Sequence, residues 1–469
     1  MLPLFIGVMD QTIVATALPA IAASLGELEQ IAWVVVAYLI AVATAAPVYG
    51  RLGDAFGRKR MMFIAIAVTI AGSLACATSG SIEMLVAGRF LQGLGGGGLM
   101  GLSHALVGQS VPPRDRARFQ GYFSTVMVTA SVIGPVIGGV LTEHFGWRSI
   151  FLINIPLCLA AALLLLRLAS YRPPPQPFRF DFPGLLLLFT FVASLLVLVE
   201  QVRHFFDMNL PLVAGLLFAT LASLLLLYLR EKRATTPLLP IPLLSNPNIW
   251  RLDLIALCHG GLFVALISLL PIYLSAVREF SPSDIGVMML PMTGLVGFGS
   301  FLTGKLVSRT GRTMIFPSLG LTVCAILLVI LAFVVNELSI IGLGFYMGAL
   351  SFFLGGVMAA VQVTILSEAG PLLGTATATV QLSRSLGAAA GTAITSAVLF
   401  TTIAINGTEV SSDVLALLQG SAAAVGDLGA GAEAIRANVA SAFAGVFLTI
   451  AAFAGLAAYF AWTVPHRRL

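Results

Sequence analysis

Gly50-Arg-Leu-Gly-Asp-Ala-Phe-Gly-Arg-Lys-Arg60 is a short basic stretch between two long apolar runs. A second version, Gly304-Lys-Leu-Val-Ser-Arg-Thr-Gly-Arg-Thr313, stands between two further apolar runs 254 residues on. It keeps the glycines and the basic residues, with Ser308 in the place of Asp54. Two alike hinges in corresponding places imply a chain built from two related halves. In a membrane protein such a repeat points to a secondary transporter with its site between the halves.

Composition agrees. Of 469 residues, 58% are hydrophobic and only 10% charged, too little charge for a soluble fold of this size, so lipid is the solvent for most of the chain. A spanning helix takes about 20 apolar residues, and the apolar runs give about fourteen of them by that measure. They fall near 2–24, 32–52, 61–80, 82–107, 118–141, 149–169, 183–200, 209–229, 249–276, 284–306, 312–334, 338–366, 374–402 and 441–463. The first run has no basic leader and no small-residue cleavage site, so it is expected to be a helix rather than a signal peptide. Cys76, Cys158, Cys258 and Cys324 lie inside apolar runs without metal-like spacing, and read as packing residues outside any disulfide.

Charge sets orientation. Loops on the Arg58 side hold 18 of the 25 lysines and arginines, and the opposite side holds four, Arg148, Arg203, Arg278 and Arg436. Basic residues accumulate in cytoplasmic loops, so both termini are expected in the cytoplasm. The net charge of +5 has the same origin and calls for no nucleic-acid partner. The expected division is a first six-helix bundle over 1–170, an inserted helix pair with its linkers over 171–248, and a second six-helix bundle over 249–469. Helices 7 and 8 would then stand outside the central cavity. Pro173-Pro174-Pro175 reads as a stiff linker. The proline-rich segment 237–244 is expected to lie along the membrane surface, since it cannot continue a helix. The outer loop near 404–440 carries no chemistry, and Asn406-Gly-Thr408 is a weak sequon.

Few residues can carry chemistry at membrane depth. Asp10 is eight residues into the first helix, roughly 12 Å deep in a ~30 Å core. A carboxylate there is costly unless it is paired, protonated or facing a wet cavity. Arg89 lies in helix 4, roughly 10 Å from the outer face. It cannot release its proton, so it would act on a nearby acid or snorkel to the outer headgroups. This register sets the two charges about 8 Å apart along the membrane normal, a gap for the long side chain, helix tilt or a water to close. Arg384, in helix 13, either lines the cavity or reaches cytoplasmic headgroups. Gln92, Gln362, Gln381 and His259 face the cavity or bond between helices. Asp253, near Arg251, reads as half of an interfacial ion pair. In the hinge, Asp54 would cap helix 3 or pair with Arg58, holding one conformation. Gly134-Pro-Val-Ile-Gly-Gly139 offers small residues for close packing, with Pro135 weakening one backbone bond. That surface would rock or seal against the opposite half. Gly93-Leu-Gly-Gly-Gly-Gly98 follows no strand and lacks the lysine–serine ending of a phosphate loop. His104, His144, His204, His259 and His466 are scattered, which argues against a metal site or a membrane-embedded enzyme.

The hinge resembles the signature loop of the major facilitator superfamily, G-x-L-x-D-x-x-G-R-[KR], carried here by Gly50, Asp54, Gly57, Arg58 and Lys59, with Ala55 where arginine is frequent. Asp10-Gln-Thr-Ile-Val-Ala-Thr-Ala-Leu-Pro19 is similar to the helix-1 motif of that family's fourteen-helix drug:proton antiporters. Leu85-Val-Ala-Gly-Arg-Phe-Leu-Gln-Gly-Leu-Gly95 resembles the motif whose arginine is assigned to proton transfer. Gly134, Pro135, Gly138 and Gly139 resemble the antiporter motif, with Ala130 at a usual glycine. The resemblance implies an all-α transporter of two six-helix bundles plus two inserted helices. It implies proton-coupled export of amphipathic small molecules, with Asp10, Arg89, Gln92 and Arg384 as candidates for coupling and substrate. The expected partners are the lipid bilayer, a small amphipathic substrate and protons, with the monomer as the working unit, the proton gradient as energy source, and no cofactor, metal or catalytic residue. The expected location is the bacterial cytoplasmic membrane. A uniporter or importer of the same fold is the alternative.

Overall fold

The structure is a computed structural model describing residues 1–25, 32–168, 179–203, 209–280, 282–405 and 431–465. Within them the regular elements are α-helices. The first group is α1 (Leu2–Leu25), α2 (Ala32–Phe56), α3 (Arg58–Ala77), α4 (Ile82–Ser110), α5 (Pro113–Phe145), α6 (Ser149–Leu152) and α7 (Asn154–Leu166). Next come α8 (Phe182–Arg203), α9 (Leu210–Glu231) and the single turn α10 (Ile241–Leu244). The last group is α11 (Pro247–Ala276), α12 (Pro282–Thr310), α13 (Ile315–Val334), α14 (Ile340–Glu368), α15 (Leu373–Ile405) and α16 (Gly431–Thr463).

Among the described residues, twelve helices are long and apolar enough to cross a membrane, with α6 and α7 together making one, and the bent α1 makes a thirteenth. The expectation of fourteen turns on α4. It has 29 residues, but its centre is glycine and it carries Arg89, Gln92, His104 and Gln109, so it falls short in apolarity rather than in length. Lipid tails are as apolar as leucine, so bundling rests on close packing and hydrogen bonds. The glycines of α4 supply the packing. A Cβ on Gly93 would meet the Tyr38 carbonyl at 2.6 Å, one on Gly97 the Val42 carbonyl at 2.5 Å, and one on Gly95 the Thr69 amide at 2.5 Å. The helix is thereby clasped between α2 and α3.

Several element ends differ from the sequence expectation. The basic hinge is not a loop. α2 runs to Phe56 and α3 starts at Arg58, with a break only at Gly57, whose φ of 96° favours glycine. Gly311, φ 71°, ends α12 in the second hinge. Segment 237–244 is not free of helix: α10 forms after Pro240, because Pro242 is tolerated in a first turn. α16 starts at Gly431, ten residues before the expected 441. The sequon at Asn406, most of the 404–440 loop, and the Pro173–Pro175 linker lie outside the described residues.

The largest apolar core draws only on residues 249–464. Three smaller cores are built by α1 to α7 and their flanks. A further core joins Leu188, Val192 and Leu227 of the α8–α9 hairpin to Ile40 of α2 and Leu382 of α15. Leu163, Phe218, Phe333 and Phe345 stand exposed on the periphery, the face a bilayer covers. At the hinge end of the hairpin, Asp181 accepts from Gly184 N and from Arg230, while Glu231 accepts from Leu239 N. Asp181 Oδ2 and Glu231 Oε1 are left without a partner beside Gly184.

Candidate functional site

Asp10 and Arg89 are in direct contact, Oδ2 to Nη1 at 2.8 Å, both only 1% exposed. Side-chain reach closes the offset expected along the membrane normal. Asp10 Oδ1 accepts from Gln92 Nε2 at 2.8 Å and from Asn154 Nδ2 at 2.6 Å. Gln92 Oε1 accepts from Arg89 Nη1 at 2.6 Å, and its amide also donates to Ser73 Oγ at 2.8 Å. Arg89 Nε donates to the Val34 carbonyl, and the guanidinium lies 4.0 Å from the centre of the Tyr38 ring. Helix α1, α2, α3, α4 and α7 therefore converge on one ion pair. The break of the sixth span at Ile153 starts α7 at Asn154 and brings that amide to Asp10. Such a pair repays its desolvation only when its remaining hydrogen-bonding groups are satisfied, and here nearly all are. Asp10 is accordingly sealed inside the first bundle, not facing the cavity.

The cavity, about 210 Å³, lies next to it. Gln11, the neighbour of Asp10, lines it, with Val36 and Leu39 of α2, His259 and Phe263 of α11, and Gln381 and Arg384 of α15. Leu196, Val199 and Glu200 of α8 complete the wall. The first helix of the inserted pair is thus not outside the cavity, because α8 packs against α2 and α15 where the two bundles meet, whereas α9 contributes nothing to the lining among the described residues. Of the residues left open by sequence, Arg384, His259 and Gln381 line the cavity, whereas Gln92 belongs to the buried network and Gln362 is buried in α14. A larger cavity of about 350 Å³, walled by Leu2, Met62, Leu106, Phe119 and Leu165 among others, has no charged side chain in its lining and lies apart from this chemistry.

The hinge joins the bundles. Asp54 Oδ1 accepts from Arg58 Nη2 at 2.6 Å and from Gly374 N at 2.9 Å. Oδ2 accepts from Thr375 N at 2.8 Å and from Thr375 Oγ1 at 2.9 Å. Asp54 thus pairs with Arg58 as expected but caps α15 in the other bundle instead of α3, which has no side-chain cap. The amides at the start of a helix have no intrahelical acceptor and carry positive potential, which suits a carboxylate. Gly50 permits the approach, since a Cβ there would meet the Gly374 carbonyl at 2.6 Å. Arg58 Nη1 also donates to Gln109, and Lys59 donates to the carbonyls of Leu166 and Leu168 at the end of α7.

Two further expectations are corrected. Gly134 and Gly138 pack on α1 of the same bundle: Cβ atoms there would meet Thr12 Oγ1 at 2.1 Å and the Ile13 carbonyl at 2.5 Å. Gly139 has open space and Pro135 is half-buried. The glycine of α5 that faces the other bundle is Gly121, against Ser300 and Phe301 of α12. Asp253 does not pair with Arg251, which donates to the Thr463 carbonyl instead. It is buried and faces Thr379, with Oδ1 unpartnered, making it a second acid inside the helices. Sequence reasoning also missed Asn154, Ser73 and Tyr38. A polar residue in the apolar run Phe151-Leu-Ile-Asn-Ile-Pro156 was the available signal for the first.

Many candidate spanning helices, a hinge that locks two bundles together and a cavity between them define a multi-pass membrane fold. The family follows from comparison. The model of the Major Facilitator Superfamily matches residues 2–392, and the chain belongs to that superfamily. An uncharacterised MFS-type transporter of Mycobacterium tuberculosis is 31% identical over 388 residues, covering 82% of this chain and 56% of the relative. Multidrug resistance protein 3 of Bacillus subtilis is 28% identical over 304 residues, covering 65% and 59%. The chain thus spans a little over half the length of these curated relatives. Among solved structures, the human organic anion transporter MFSD10 superposes with a TM-score of 0.62 at 17% identity, covering 96% of this chain and 98% of that one, a likeness of fold.

Proposed function

We propose that this chain is a proton-coupled exporter of amphipathic small molecules, working as a monomer by alternating access in a bacterial cytoplasmic membrane with its termini in the cytoplasm. The observation that carries the reading is the buried Asp10–Arg89 pair one residue from Gln11 in the cavity wall. Relatives named as multidrug transporters and efflux pumps support export as its direction. The proton gradient supplies the energy and no cofactor takes part. Protonating Asp10 removes the counter-charge of Arg89, so the network must rearrange, and α1 and α2 carry that rearrangement to Gln11, Val36 and Leu39. Linkage is reciprocal: if protonation of Asp10 changes substrate affinity, substrate binding must change proton occupancy by the same factor.

The test is purified protein in liposomes. Asp10→Asn should abolish export driven by an imposed pH gradient while retaining substrate exchange at equal concentrations, and substrate-induced proton release in detergent should disappear. Equal proton release from wild type and Asp10→Asn would remove Asp10 from the coupling step.

A further inference from the structure

Arg384 is the twelfth residue of α15, about 17 Å along the helix from its start, and it lines the cavity. A guanidinium offers five donors. Among the described residues, the only hydrogen bond of Arg384 runs to Gln381 Oε1, one turn away, at 3.3 Å. Asp54–Arg58, Asp10–Arg89, Asp181–Arg230 and Glu279–Arg436 form ion pairs, and none of these includes Arg384. Glu200, the acid of the lining, has an engagement of its own. The rings of His104 and His259 lie within reach of the charge of Arg384. Arg89 shows the contrast: the same chain gives that arginine a carboxylate, an amide, a carbonyl and an aromatic face. A cation inside a membrane protein is costly without a partner, and Arg384 is left open to the cavity.

We propose that the cavity takes amphipathic organic anions, with a carboxylate or sulfonate head held by Arg384 and an apolar body against Val36, Leu39, Leu196 and Phe263. Two oxygens of a carboxylate or sulfonate head match a guanidinium in a two-bond geometry that a lysine cannot offer. His259 adds a second element of recognition. Its Nε2 lies 3.3 Å from the Leu354 carbonyl, which assigns the proton to Nε2 and leaves Nδ1 as an acceptor. That Nδ1 is unpartnered and closed off from the cavity space, so a turn of the ring is needed to bring it to a hydroxyl or N–H of the ligand. The volume, about 210 Å³, is below the common range for drug-sized sites of about 300–1,000 Å³ and suits a body of about two fused rings. The assignment deepens the export reading and needs it only for the direction of movement.

The test is calorimetric titration of the purified full chain with three ligands sharing one body: 1-naphthaleneacetate, 1-naphthaleneacetamide and 1-naphthylmethylammonium. The acetate should bind at least about tenfold tighter than the amide, with the ammonium weakest, because an ionised head gains charge-assisted bonds that the amide lacks. Arg384→Gln should bring acetate and amide to within about twofold, and Arg384→Lys should retain part of the preference. Retained amide binding shows that the Arg384→Gln variant is folded. Ammonium binding as tight as acetate, an unchanged preference in Arg384→Gln, or no binding of any of the three overturns the assignment. Export is measured separately in vesicles: head-group selectivity without gradient-driven export would overturn the export reading and leave this one standing.

Discussion

Asp10 spends its acceptors on Arg89, Gln92 and Asn154 inside a region closed to solvent. Removing one member of a buried ion pair leaves the other charge uncompensated, at a cost of about 3–5 kcal/mol. Arg89→Ala is therefore expected to lower the melting temperature in detergent sharply, and Asp10→Asn to lower it for the mirror-image reason. The double variant Asp10→Asn/Arg89→Gln should recover much of the loss, since the residues act as a pair. A double variant that simply adds the two losses would show that the pair is not the unit. The two charges were legible in the sequence because an ionised group inside an apolar run is rare and has few explanations. Asn154, Ser73 and Tyr38 were not, because each alone is compatible with ordinary interhelical bonding. The target of Asp54 was hidden for another reason. It is a pair of backbone amides about 320 residues away, and backbone has no sequence signature.

Glycine crossings fall into two classes, those within one bundle and those between the bundles. Gly138 of α5 lies on the Ile13 carbonyl of α1 within one bundle, whereas Gly50 of α2 lies on the Gly374 carbonyl across the two bundles. Gly138→Val should therefore lower folded yield, because overpacking a crossing inside one bundle costs about 1–3 kcal/mol. Gly50→Val should fold and instead favour the form parted at the hinge side, raising the labelling rate of a cysteine placed at Ala378. Unchanged labelling in Gly50→Val, with normal yield, would mean that this crossing does not gate the molecule. The helices were readable from apolar runs of spanning length, but their junctions were not. The hinge looked like a loop because its residues are charged, yet α2 and α3 continue to either side of Gly57, where Lys59 caps α7 and Arg58 folds back onto Asp54.

At the scale of the whole molecule, the bundles touch through the Asp54 cap at the hinge side and through α5 on α12 at Gly121 and Gly304, where a Cβ on Gly304 would meet the Ala117 carbonyl at 2.4 Å. The hinge repeat pointed to two halves, while the placement of α8 in the cavity wall depends on a lateral contact that the order of helices does not encode. Asp54→Asn keeps the shape of the side chain and removes its charge, weakening both the pair with Arg58 and the cap. Capping alone is worth about 0.5–2 kcal/mol, so the variant should express normally and transport poorly. Electron–electron resonance between spin labels on either bundle at the hinge side should show the longer distances gaining population. Transport equal to wild type would reduce the hinge to a topology signal. The cap also has a consequence for measured affinity. Under the alternating access proposed above, each turnover withdraws Asp54 from the amides of Gly374 and Thr375, and the strength of that contact sets how seldom the cavity opens toward the hinge side. A ligand arriving from that side binds only the open fraction, and its apparent dissociation constant is raised by the inverse of that fraction. The same cavity, with the same lining, then presents a weaker apparent affinity on one face of the membrane than on the other. This sidedness is tuned at a carboxylate that no ligand touches.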